Sequence, residues 1–184
     1  MNVKMLTDLS ACEEAIDWFV ENCKDNCSTE EAVDTLIKSK HKQAFEWSNW
    51  LIVRLLNDAN KIKYAVFAAR KVLPTYEGRY PDDLRPRLAI EAAEKFISDP
   101  SEINKDACAA AARVAGAAAR AAYAADADYA AAADAADAAD AARAAARAAA
   151  AYAFYAADAV YADVNITKKI IQYGLKLIQE QQAQ

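Results

Sequence analysis

The side chains able to do chemistry in this chain fall into three groups. Between Tyr76 and Arg87, the cations Arg79, Arg85 and Arg87 are interleaved with Asp82 and Asp83, a mixture that could line an anion site. Farther on, Asp126, Asp134, Asp137 and Asp140 place carboxylates along an alanine-rich stretch, where they could meet a basic partner. Near the start, Cys23 and Cys27 are four residues apart, and with His41 they would supply part of a metal site lacking its remaining ligands. The alternative for the cysteines is reduced core side chains, in keeping with the general burial of that residue.

Each group meets a physical limit. Asp134, Asp137 and Asp140 recur every third residue, so on a helix each lags the previous one by about 60° and the acids spiral instead of converging. A carboxylate pair for general acid–base work would then need help from other helices, and no Glu-x-x-His pattern offers it. His41 is the only histidine and lies among Lys38, Lys40 and Lys42, which reads as a solvated link. There is no Gly-rich phosphate loop and no GxSxG, and the chain has 3 glycines in all. These features point away from an enzyme and call for no metal or cofactor.

The positioning elements read as helices throughout. Ser10-Ala11-Cys12-Glu13 fits a capping box opening a helix to about Cys23, and Ser28-Thr29-Glu30-Glu31 fits a second, closed by the lysine-rich link 38–42. From Gln43 to Asn57, Phe45, Trp47, Trp50, Leu51, Val53, Leu55 and Leu56 mark a central core helix. The next helix, Lys61 to Leu73, should stop at Pro74, leaving Thr75 to Arg85 as an extended loop, the kind of place that carries binding residues. Pro86 suits the first turn of a helix in which Arg87 and Glu91 could pair, and Asp99-Pro100-Ser101-Glu102 gives another start signal. Asn165 to Gln182 reads as a C-terminal amphipathic helix that docks on the bundle.

Between Ala107 and Asp163, 36 of 57 residues are Ala, so helix is strongly favoured there. A single rod of that length would span roughly 85 Å, so the field is expected to fold into two or three antiparallel helices, packed closely because their side chains are small. The expected architecture is all-α: one domain of about seven to nine helices with an alanine-rich layer. Within it, 1–73 carry the N-terminal helices, 74–85 a loop, 86–163 the Arg-Pro-Arg helix and the alanine-rich helices, and 164–184 the last helix.

A net charge of −5 and a pI near 5.0 disfavour direct nucleic-acid binding and suit a basic protein partner. The first residues lack the apolar core of a signal peptide, and the longest uncharged run of the alanine field, Ala148 to Ala157, is too short to span a bilayer, so a cytoplasmic location without membrane contact is expected.

The run Asp83-Leu84-Arg85-Pro86-Arg87-Leu88-Ala89-Ile90-Glu91-Ala92-Ala93-Glu94-Lys95-Phe96 resembles a family of bacterial immunity proteins, the fifth immunity class of polymorphic toxin systems. Ala11-Cys12-Glu13-Glu14-Ala15 with Trp18, the Trp-Leu-rich helix from Trp47 to Leu55 and the alanine, tyrosine and aspartate field extend the similarity over most of the chain. The resemblance implies an all-helical protein that neutralises a protein toxin or effector without catalysis. Two other readings stay open on the residues alone. One is an inhibitor of a host defence nuclease carried by a phage or mobile element, such as an anti-CRISPR, with the acidic helices imitating DNA. The other is a small-ligand protein or enzyme using the 76–87 stretch. An alanine face can also pack against a copy of itself, giving a homo-oligomer.

Overall fold

The computed structural model describes residues 1–79, 81–107 and 164–183, and all regular secondary structure among them is helical. In chain order the helices are α1 (Val3–Asp8), α2 (Glu13–Asn22), α3 (Thr29–Ser39), α4 (Ala44–Leu55), α5 (Asp58–Arg79), α6 (Arg85–Ser98), α7 (102–107) and α8 (Val164–Gln182). The all-α expectation holds. The alanine layer, with Asp126, Asp134, Asp137 and Asp140, lies outside the described residues. Contacts divide the chain into two compact units, where the sequence reading takes one domain: Met1–Asn57 with Ile171–Gln184, and Asp58–Ile170.

In the first unit α1 packs on α2, and α3 on α4. Leu36, Ala44 and Trp47 form a buried cluster, against which Ala15, Trp18 and Ile37 pack. The apolar spacing of α4 accounts for this, because Trp47, Leu51 and Ile52 fall on its buried side. Ser48, fully buried, donates its hydroxyl to the Ala44 carbonyl one turn back at 2.6 Å, so no polar atom is stranded there. Ser28 caps α3 in a complete capping box: its hydroxyl accepts from the Glu31 amide at 3.0 Å, while the Glu31 carboxylate accepts from the Ser28 amide at 2.7 Å. From the other end of the chain, Ile171, Leu175, Leu177 and Ile178 of α8 are buried. Gln181 of α8 donates to the Leu55 carbonyl at 3.2 Å and accepts from the Asn57 amide at 2.8 Å.

Two expectations fail in this unit. Ser10 does not open α2: its backbone takes φ 63°, and Cys12 stands at the cap without a side-chain bond. The residues before it form α1 instead, capped by Asn2, whose side chain accepts from the Met5 amide at 3.0 Å. The cysteines are not core residues either, since Cys12 is exposed and Cys23 and Cys27 are partly buried.

In the second unit α5 packs along α6, with Val66, Ala69, Leu73, Ile90 and Ala93 buried between them and Ile62, Phe96 and Ile97 at the margin. The expected stop at Pro74 does not occur, and α5 continues to Arg79. An interior proline costs about 3 kcal/mol. Here Leu73 is anchored in the shared core just before it, and Glu77 just after it grips α6, so tertiary contacts hold the helix on both sides. The extended loop 75–85 is thereby corrected to a short turn over 81–84. At the start of α7 the cap is Ser101, whose hydroxyl accepts from the Asn104 amide at 3.4 Å. Asp99, which the start signal Asp99-Pro100-Ser101-Glu102 offers as an Asp cap ahead of Pro100, instead receives the buried Asn104 side-chain amide at 2.7 Å.

Candidate functional site

The stretch 76–87 becomes two helix ends and a turn. Tyr76 and Arg79 lie on the last turns of α5, with their side chains outside the described residues, and Asp82 is exposed in the turn. Asp83 folds back on the start of α6, accepting from the Arg85 guanidinium at 2.7 and 2.8 Å and from its backbone amide at 3.1 Å. Arg87 makes a two-pronged bond to Glu77 across the helix pair, at 2.8 and 2.7 Å, instead of pairing with Glu91 on its own helix. Two turns away along each helix Arg70 grips Glu94 in the same manner, at 2.7 and 2.6 Å. The Arg70 hydrogen bonds hold the Glu94 carboxyl below the usual carboxylate range, and Glu94 in turn raises Arg70.

A planar guanidinium held at both ends by a carboxylate has its fork already filled. Arg85 and Arg87 are therefore engaged in the protein's own pairs, and their geometry serves the α5–α6 clasp more than an anion site.

A different place gathers polar groups on an open surface. In the first unit a cleft of about 550 Å³ is lined by Glu13, Glu14, Asp17, Trp18, Glu21 and His41. Helical spacing explains it: 13, 17 and 21 follow one another at four-residue steps, with 14 and 18 beside them, so four carboxylates and one indole share a face of α2. All four acids are exposed, while Trp18 is half-buried against the core cluster. Behind it the Trp47 ring lies 6.5 Å from Trp18 at 60°, and His41 stacks on Trp47 at 4.5 Å and 21°. The His41 ring is fixed by the Gln43 amide, which donates to Nδ1 at 3.2 Å.

The sign of the cleft is negative. Lys42 approaches Glu14 at 3.7 Å, a loose and exposed contact, and Glu13, Asp17 and Glu21 make no ion pair with a described residue. Four acids beside an aromatic floor suit a cationic group: the carboxylates supply attraction and an indole face supplies a cation–π surface. The sequence carried the signal, since acids at 13, 14, 17 and 21 flank Trp18 on helical spacing. The apolar spacing of the same helix masks it.

His41 thus supports an aromatic stack, and Cys23 and Cys27 belong to the turn after α2. Among the described residues no group of three or more His, Cys, Asp or Glu side chains is placed to hold a metal ion. No described helix is long and apolar enough to cross a membrane. In comparisons with protein-family models, curated proteins and solved structures, the chain has no significant match.

Proposed function

We propose that this chain is a non-catalytic inhibitor that binds and neutralises a protein toxin or effector, and that a basic surface of that partner seats on the acidic face of α2. The observation that carries the reading is the cleft, in which Glu13, Glu14, Asp17 and Glu21 surround Trp18. A lysine or arginine entering it would meet opposite charge at the rim and an aromatic plane at the floor. Such charge complementarity speeds encounter and selects basic partners. The similarity of the Arg-Pro-Arg helix to bacterial immunity proteins and the overall acidity support the same reading.

The clasped α5–α6 pair would act as scaffold. Arg85 and Arg87 are paired internally, which favours a protein-binding role over a small-ligand or catalytic role for the 76–87 stretch.

The test starts from the gene neighbourhood: each toxin encoded beside this gene is purified and mixed with the chain. Gel filtration should show a stable complex that weakens as salt rises. A chain carrying Glu13→Lys, Asp17→Lys and Glu21→Lys should still be helical by circular dichroism yet lose at least about tenfold in affinity, in line with about 1.4 kcal/mol or more from reversed charge. Binding by this folded variant at full strength would remove the α2 face from the proposal. A host defence nuclease as the partner that complexes, with no adjacent toxin doing so, would shift the reading to an anti-defence inhibitor.

A further inference from the structure

We infer that the outer face of α2 takes a basic amphipathic helix of the partner, with an apolar row of that helix against Ile16 and Val20 and a row of arginines or lysines across Glu13, Asp17 and Glu21. This rests on the reading of the α2 face as the partner surface, and adds the shape and the apolar content of what binds there. The observation that carries it lies outside the cleft. Val20, on the other side of the acids from Trp18, is 61% exposed. A lone exposed valine is ordinary on a protein surface, so its placement beside the acids is what counts.

Side chains four residues apart form ridges on a helix surface. Glu13, Asp17 and Glu21 make one such ridge of α2, and Ile16 and Val20 make the next, about 60° round the helix. Phe19 is buried and Ala15 packs on the core cluster, so the opposite side of α2 is already occupied. Across its open side the helix is thus apolar, then acidic, then aromatic at Trp18. A groove runs between the apolar and acidic ridges, and a second helix fits such a groove with a four-residue ridge of its own, at about 8–10 Å between axes. A helix can carry an apolar row and a basic row side by side. An extended segment shows one row of side chains on each face and meets only one of the two ridges.

Charge decides what the facing helix carries. Glu13, Asp17 and Glu21 are all exposed, so the row that meets them is cationic, and a second copy of α2 brought against this face is repelled by like charge. The methylene stems of the arginines or lysines lie along apolar surface while their heads reach the carboxylates, which covers more of Val20 and Trp18. Exposed ion pairs are individually weak. The acids therefore select a basic partner and speed its approach, and removal of Val20 and Ile16 from water supplies much of the affinity.

The test titrates the full-length chain, by calorimetry at low salt, with three synthetic peptide amides of about 15 residues built on alanine to favour helix. The first carries leucines four residues apart with arginines three residues from each, giving two adjacent rows. The second has the same composition with the rows scattered round the helix, and the third keeps the arginines and has glutamine for leucine. The two-row peptide should bind about tenfold or more tightly than either control. Val20→Ser, in a chain with an unchanged circular dichroism spectrum, should weaken the two-row peptide about fivefold and leave the arginine–glutamine peptide as it was. A two-row peptide that binds no better than the controls, or that ignores Val20→Ser, overturns the amphipathic helix and leaves the acidic face standing as a site for basic partners. If no peptide binds, or if Glu13→Lys, Asp17→Lys and Glu21→Lys together leave binding untouched, the acidic face falls as well. Self-association of the chain that Val20→Ser abolishes makes a second copy the occupant and likewise overturns the inference.

Discussion

Arg70 and Glu94 sit on facing helices in a two-pronged pair, each about one-third to two-fifths exposed, at 34% and 41%. Solvent therefore screens much of their attraction, and a double-mutant cycle should return about 0.5–1 kcal/mol. The pair also sets a pH response. Glu94 is held below its ordinary value of 4.5 by hydrogen bonds from Arg70, so the folded carboxyl binds its proton less tightly than the unfolded one. Its stabilisation is complete above the ordinary value and is lost as pH falls through the lower folded value. Urea midpoints measured between neutral pH and pH about 3 should fall on acidification, and Glu94→Gln should flatten that fall. An unchanged pH slope in the variant would mean that other carboxylates carry the response. At this scale the sequence showed residue types but not pairings. The local step offers Glu91 to Arg87, which instead takes Glu77, because the α5–α6 packing sets a closer partner.

At the scale of elements, local rules worked where the chain itself decides. The Ser28–Glu31 box is complete because both partners lie within one turn, and the tryptophan-rich helix was legible because its apolar spacing is dense. They failed where packing decides. Pro74 reads as a terminator, yet α5 runs past it to Arg79 with Leu73 buried just before and Glu77 paired just after. Pro74→Ala restores a backbone donor and removes the ring's clash without disturbing either anchor. It should raise stability by about 1–3 kcal/mol, read from chemical denaturation. A destabilised variant would show that α5 depends on the backbone restriction its proline imposes. The candidate site follows the same division. The acids of α2 and Trp18 stood at helical spacing in the sequence, whereas the stack of His41 on Trp47 that supports Trp18 depends on how α4 meets the preceding link.

For the whole molecule, the first unit draws on both ends of the chain, Met1–Asn57 and Ile171–Gln184. Burial of Ile171, Leu175, Leu177 and Ile178 contributes about 1.5–3 kcal/mol apiece, together comparable to the roughly 5–15 kcal/mol that holds a domain folded. A chain ending at Ile170 should lose the cooperative unfolding of this unit and its slowly exchanging amides in α3 and α4; retention of both would show that α1–α4 fold alone. The discontinuity has a consequence in time as well as in space. On the ribosome, α1–α4 emerge first, but the segment that completes their unit follows only after all of Asp58–Ile170 has been made, a delay of about 6–23 s at ordinary rates of synthesis. Throughout that interval the unit lacks the apolar side chains of Ile171, Leu175, Leu177 and Ile178, so its core stays incomplete and this is the part of the newborn chain that a chaperone would hold.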